Sequence, residues 1–384
     1  MKKGIAMMLA AAMTVSMVGC SGGASEKAEP EKTAVTEETT GGGNAAESET
    51  DEQAKNEASL RKNEIVRIGF PAAVASFLWS PFIVSQQMGY FEVEGIDVVF
   101  EQSYSSSATR MVASNQAEFS APGPHLTAAG IESGMDIISV YQLYPVDIFG
   151  FAVMADSGMS SVKDLEGKKI GTMTPTTANQ VVPILQAAGV DPESVQLIPI
   201  SDARAQQLQE KTVDAVWTWD GEWQQWKAEG MDISYLSGEE VYKSSSNSII
   251  ANVTLVKEYP ELIEGFDRAL SKGLYFCYCN PRAAADIVLT NWPTLQVDMD
   301  SAEDIIQTGI NFMSGGKDVM EGNTIGQHRK EAIELLMGDY VKMGVIKEVI
   351  PDDKFYTNQF VEAANDWNRE EVKKDAEEYQ MQSK

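Results

Sequence analysis

Residues 168–200, "KKIGTMTPTTANQVVPILQAAGVDPESVQLIPI", hold a short β-rich run, a helical pattern over 177–188 and a second β-rich run. Two strands separated by a helix pair in parallel, with the helix laid across one face of the sheet. The same alternation extends outward from this unit. Further strand candidates are "EIVRIGF", "IDVVFE", "AEFSAP", "DIISVYQLY", "GFAVMA", "AVWTW", "ISYLS" and "SIIANVTLV". Helical patterns over 81–92, 106–115, 125–133, 202–210 and 221–229 lie between them. Beyond residue 255 long helices take over, and no repeat of fixed period runs through the chain. The expected class is α/β, with mostly parallel sheets flanked by helices.

The first 20 residues, "MKKGIAMMLAAAMTVSMVGC", read as a secretory signal: Lys2 and Lys3, an apolar run, then small residues. The run is too short for a comfortable membrane span. Met17-Val18-Gly19-Cys20 resembles the cleavage site of bacterial lipoproteins, in which the Cys carries diacylglycerol as the first mature residue. Met17 stands where that pattern usually has Leu. An ordinary cleaved signal with an incidental Cys is the plainer alternative. Residues 21–64 contain eleven acids, five bases and almost no large apolar side chains. Such a segment cannot bury enough surface to order itself and reads as a disordered tether.

The whole chain has 57 acidic against 30 basic residues, a formal charge of −27. That argues against nucleic acid as a partner, since phosphate binding needs clustered cations. Cys277 and Cys279, two apart in "YFCYCNP", point to opposite sides of a helix. They suit neither a mutual disulfide nor, without a nearby His, a metal site. Cys277 continues the stripe Leu262, Phe266, Leu270 and reads as core.

Four segments, in order, resemble one family. "MGYFEVEGIDVVF" (88–100), "SSVKDLEGKKIGT" (160–172), "KTVDAVWTWDGEW" (211–223) and "KEYPELIEGFDRAL" with "NPRAAADI" (257–287) are similar to segments of periplasmic substrate-binding proteins of the nitrate, sulfonate and thiamine-precursor type. The resemblance covers about residues 65–300. It implies a two-lobed periplasmic-binding-protein fold of type II with a ligand cleft between the lobes. Lobe one would comprise 65–152 plus 253–384, lobe two 153–250, with chain crossings near 149–157 and 248–256. Hinged lobes imply closure around a ligand that touches both.

Ligands in open α/β sheets sit beyond the carboxyl ends of strands. The loops expected there offer Phe77 and Trp79; Tyr104, Ser105 and Ser106; Gly123 and His125; Tyr144 and Asp147; Thr174, Thr176 and Thr177; and Trp219 with Asp220. Trp217 and Trp219 share a strand face, Trp219 nearer the cleft. Trp219 is the expected ligand-stacking ring, whereas Trp217, Trp223 and Trp226 read as packing. The set is rich in aromatics and hydroxyls and poor in cations, which favours a flat ligand. Exposed helix N-termini keep an anion open as the alternative, and a solvated loop carboxylate is the equal alternative for Asp147 and for Asp220.

No Gly-x-Ser-x-Gly, His-Glu-x-x-His or phosphate-loop pattern occurs, and His125 and His328 are the only histidines. No catalytic residue, cofactor or metal site is expected. The resembled fold family includes a pyrimidine-forming biosynthetic branch, whose Cys-rich segment has no counterpart here. The expectation is a monomeric solute-binding lipoprotein, no enzyme, anchored through Cys20 on the extracytoplasmic face of the membrane. It captures a small aromatic or heteroaromatic nutrient and delivers it to an ABC permease with its ATPase. The alternatives are an aliphatic sulfonate or nitrate-type binder, a pyrimidine-precursor enzyme, and a sensory lipoprotein.

Overall fold

Ten short strands form in the order expected, in two five-stranded sheets. The structure is a computed structural model that describes residues 65–103 and 106–382, the side chains of Ser106, Pro175 and Thr176 excepted. The signal with Cys20, the tether, Tyr104, Ser105 and the side chains of Ser106 and Thr176 lie outside the described residues.

The first sheet has the order β2-β1-β3-β10-β4, with β1 Ile65–Phe70, β2 Asp97–Gln102, β3 Phe119–Ser120, β4 Ile137–Gln142 and β10 Ser248–Asn252. The second has the order β7-β6-β8-β5-β9, with β5 Phe149–Met154, β6 Lys169–Thr172, β7 Gln196–Pro199, β8 Ala215–Trp219 and β9 Ile233–Ser237. The chain therefore crosses between sheets at 143–148 and 238–247, ahead of the expected 149–157 and 248–256. By sheet membership the second lobe spans 149–237.

Both sheets are mixed rather than mostly parallel. In each, one strand runs against its neighbours: β10 pairs antiparallel with β3 and β4, and β5 with β8 and β9. The crossings explain this. The β–α–β strands end at the cleft, whereas β5 and β10 arrive from the other lobe, start at the cleft and run away from it. Where β5 begins, a side chain on Gly150 would run into the Leu236 carbonyl and the Tyr235 ring, so only glycine lets β5 and β9 approach this closely.

The expected strand "SIIANVTLV" stops at Asn252, whose Oδ1 accepts from Thr254 N at 2.8 Å and caps a helix, Val253–Glu258. An N-cap side chain outweighed the β-branched composition of the following residues. Every residue of β4 is buried although it is a sheet edge. The C-terminal segment covers that edge: Gln142 N donates to Gly326 O at 2.8 Å and Thr357 N to Ser139 O at 2.9 Å. Cys277 lies in the first-lobe core with Phe266 and Leu270, as its stripe indicates. Among the described residues no helix is long and apolar enough to cross a membrane.

Candidate functional site

The two crossings run side by side at the base of the cleft. Tyr144 N donates to Asn247 O at 3.0 Å, and Ser246 N to Tyr144 O at 2.9 Å. Gln142 Nε2 ties the pair together through Tyr144 O at 2.9 Å and Ser246 O at 3.1 Å. Asn247 Nδ2 reaches Ala121 O at 2.9 Å and attaches the loop that carries Gly123 and His125.

A cavity of about 50 Å³ opens here between the lobes. Its polar lining is His125, Asp147, Gln180, Tyr242, Ser245 and Ser246. Phe149, Trp217, Pro124, Pro183 and Ile184 supply apolar walls, and Leu336, Tyr340 and Met343 close it from the C-terminal region. Phe149 and Trp217 stack with centroids 4.6 Å apart and planes 5° from parallel. Among the described residues the buried Ser245 hydroxyl has no hydrogen-bond partner. The space is far below the roughly 300–1,000 Å³ of small-molecule pockets, so a ring-sized ligand needs the lobes to separate.

Asp147 is buried on the first crossing. Its Oδ1 accepts from Phe149 N at 3.1 Å and its Oδ2 from Ser244 Oγ at 3.1 Å. Burial raises its pKa to about 6, against the pull of these hydrogen bonds. Asp220 sits at the end of β8, its N–H donating to Ile148 O at 2.9 Å. Burial raises its pKa to about 7, opposed by the Trp223 and Gln224 N–H groups beside it. Among the described residues Asp220 Oδ1, Trp223 Nε1 and the Tyr144 hydroxyl have no well-aligned partner. Burial also raises the Tyr144 phenol, with the Asp220 charge adding to the shift. Burial lowers the His125 imidazole to about 4, leaving it neutral.

Trp219 is half-buried and packs against the core of the first lobe. The Arg204 guanidinium lies 5.4 Å from its ring centroid and 5.8 Å from that of Trp226. Arg204 Nη2 is 2.6 Å from Glu222 Oε1, and its Nη1 donates to Trp217 O at 3.3 Å. Trp226 is buried, whereas Trp223 is half-buried and stacks on Tyr235 at 5.0 Å.

Of the expected residues His125 and Asp147 line this cavity, whereas Tyr144, Asp220 and Trp219 do not. Trp79 is a correction. It is fully buried, stacked on Phe70 at 4.2 Å, with Nε1 donating to Ala73 O at 2.9 Å. Phe77 is half-buried and packs on the same core. Their loop folds back over the Phe70 ring because two large aromatics gain more from burial than from an open cleft. Thr174 and Thr177 spend their hydroxyls on each other's backbone at the start of the Pro175–Ala187 helix: Thr177 N donates to Thr174 Oγ1 at 3.1 Å and Thr174 N to Thr177 Oγ1 at 2.8 Å. Gly123 N-caps the Pro124–Glu132 helix, and a Cβ there would meet His125 Cε1 at 2.9 Å.

Sequence reasoning missed Phe149, Tyr242 and Ser245, and assigned Trp217 to packing alone. The run "SSSNS" at 244–248 was a usable signal: small hydroxyls where a chain crosses lobes. Nothing local marked Leu336, Tyr340 and Met343, which reach the cavity from far along the chain.

The model of the family described as "NMT1/THI5 like" matches residues 77–284. The riboflavin-binding protein RibY of Chloroflexus aurantiacus is 23% identical over 297 residues, covering 75% of this chain and 84% of that protein. The 4-amino-5-hydroxymethyl-2-methylpyrimidine phosphate synthase of Legionella pneumophila is 24% identical over 238 residues, covering 57% of this chain and 72% of that protein. Among solved structures, the periplasmic aliphatic sulphonate binding protein SsuA of Escherichia coli superposes with a TM-score of 0.60 at 14% identity, covering 76% of this chain and 91% of that one. The fold is that of the two-lobed periplasmic binding proteins, and by the match over more than half its length the chain belongs to the NMT1/THI5-like family.

Proposed function

We propose that the protein is the extracytoplasmic, lipid-anchored solute receptor of an ABC importer, taking a small heteroaromatic nutrient that is neutral or cationic. The observation that carries the ligand class is the buried Asp147 carboxylate in the cavity lining, set among Phe149, Trp217 and Tyr242. Among the described residues no Lys or Arg lines the cavity. An anionic headgroup would face Asp147 without a compensating charge, whereas a ring N–H or amino group would give it a donor. The Thr174–Thr177 exchange also occupies a helix-terminal N–H that an anion would use.

The likeness to RibY supports a ring-bearing ligand. The likeness to the synthase keeps an enzyme as the second class. Ser139, His328 and Asn358 do form a hydroxyl–imidazole–amide chain, with Ser139 Oγ 2.6 Å from His328 Nε2 and His328 Nδ1 3.1 Å from Asn358 Oδ1. None of the three lines the cavity, and Ser139 and His328 are buried at the β4 edge. That chain suits holding the C-terminal segment better than attacking a substrate.

Thermal shift with riboflavin, 4-aminopyrimidine, taurine and ethanesulfonate is the test. A ligand at 100 times its Kd adds about 2.7 kcal/mol of stability. Stabilisation by a heteroaromatic compound and not by the sulfonates is expected. Stabilisation by the sulfonates alone would transfer the protein to the anion binders, and turnover of a pyrimidine compound would make it an enzyme.

A further inference from the structure

The second crossing carries three serines in a row, Ser244, Ser245 and Ser246, all buried. Two of their hydroxyls are spent within the protein. Ser244 Oγ donates to Asp147 Oδ2 at 3.1 Å, and Ser246 Oγ to Asn247 Oδ1 at 3.1 Å. Ser245 lies between them, 3% exposed, and its hydroxyl meets no partner among the described residues. The residue lines the cavity between the lobes. A second donor in that lining shares its situation: the buried Trp217 Nε1–H has no acceptor among the described residues.

A buried donor without an acceptor loses its hydration and gains nothing in return, and folded chains keep few of them. The acid beside them has the opposite need. Asp147 accepts from Phe149 N at 3.1 Å and from Ser244, and each of its oxygens keeps a further lone pair. The lining therefore sets donors next to an acceptor. The Phe149–Trp217 stack, with planes 5° from parallel, adds a flat apolar wall.

We propose that Ser245 is a specificity-determining residue: its hydroxyl donates to a ring nitrogen or ring carbonyl of the ligand, adjacent to the N–H that Asp147 accepts. The inference rests on the heteroaromatic reading and narrows it to rings that carry an acceptor next to a donor. A site built to hydrogen-bond a group rejects the analogue that lacks it, because the site's own polar group is then buried unpaired. An aromatic amine with no ring nitrogen satisfies Asp147 and the apolar wall and leaves Ser245 without a partner. An aminopyrimidine satisfies both.

The test compares 4-aminopyrimidine with aniline, which share ring size and amino group and differ in the ring nitrogens. Dissociation constants are measured by calorimetry at pH 8, where Asp147 is ionised, on the full-length protein and on Ser245→Ala. Urea midpoints without ligand are measured on Ser245→Ala and Ser244→Ala. Wild-type protein should prefer 4-aminopyrimidine by about tenfold or more, and Ser245→Ala should cut that ratio about fivefold, the loss of one hydrogen bond. Without ligand the Ser245→Ala midpoint should equal or exceed that of wild type, since no bond within the protein is lost, whereas that of Ser244→Ala should fall. A packing role alone would weaken both compounds equally, and an unchanged ratio overturns the proposal. So does a lowered midpoint in Ser245→Ala, which would mean that its hydroxyl is bonded within the fold. Wild-type protein that binds riboflavin without preferring 4-aminopyrimidine over aniline overturns the proposal and leaves the heteroaromatic reading standing. Wild-type protein that binds none of the three compounds removes both.

Discussion

The Arg204 guanidinium lies over the Trp219 ring, 5.4 Å from its centroid, while Nη2 is 2.6 Å from Glu222 Oε1. One face of the expected stacking ring is therefore occupied by the protein's own cation, and the ring also packs on the first-lobe core without lining the cavity. Trp219→Ala should weaken heteroaromatic binding by about 1–3 kcal/mol, measured by calorimetry. Trp226→Ala, in a buried ring, should instead cost about 3–5 kcal/mol of stability in urea unfolding. Normal binding by Trp219→Ala removes Trp219 from the site.

Arg204→Met should destabilise the fold by about 3–5 kcal/mol, because it leaves the half-buried Glu222 carboxylate without its cation and with the Thr218 hydroxyl as its remaining donor. The double variant Arg204→Met/Glu222→Gln should recover part of that loss. Urea midpoints for the two single variants and the double one read the coupling directly.

Stability should carry two opposing pH dependences. Asp147 and Asp220 titrate at about 6 and about 7 when folded, above the usual value of about 3.9 for an unfolded Asp. The folded state then holds more protons between pH 4 and 7, so this contribution is lost as pH rises through that window. His125 and His328 are lowered to about 4 by burial, against about 6.5 unfolded. Their contribution has the opposite sign and grows from pH 4 to 6.5. Asp220→Asn should therefore make unfolding free energy rise more steeply between pH 5 and 7 than in wild type. Identical slopes would mean that Asp220 titrates normally in the fold.

Ser139→Ala leaves the His328 ring without its 2.6 Å partner and should cost about 1–3 kcal/mol of stability. Ligand affinity should stay at the wild-type value, since Ser139 does not line the cavity. A catalytic Ser139 would show instead as lost turnover in a fully folded protein.

The proposed membrane attachment rests on the reading of residues 1–20 as a lipoprotein signal. Cys20→Ala should release a ligand-competent protein into the soluble fraction, and deletion of 25–58 should leave affinity unchanged. Membrane fractionation checks the first, and persistent attachment of the Cys20→Ala protein contradicts the anchor.

Local pattern was enough for much of the frame. The strand–helix–strand unit at 168–200 folds as read, with β6 and β7 parallel across the Pro175–Ala187 helix. Cys277 takes its place in the Phe266–Leu270 core stripe, because i, i+4 spacing is a property of the helix alone. Asp147 and Trp219 were legible as strand-end residues for the same local reason.

What the tertiary structure decided depends on pairing between distant segments. The reversed directions of β5 and β10 follow from which lobe each enters, which no single strand's composition records. Trp79 left the cleft because Phe70 offered a ring to stack on. The raised pKa values of Asp147 and Asp220 come from burial between two lobes. The wall of Leu336, Tyr340 and Met343 comes from a helix about 190 residues beyond Asp147, whose own sequence reads only as amphipathic. Amphipathic periodicity says that a face is buried, and only the packed chain says against what.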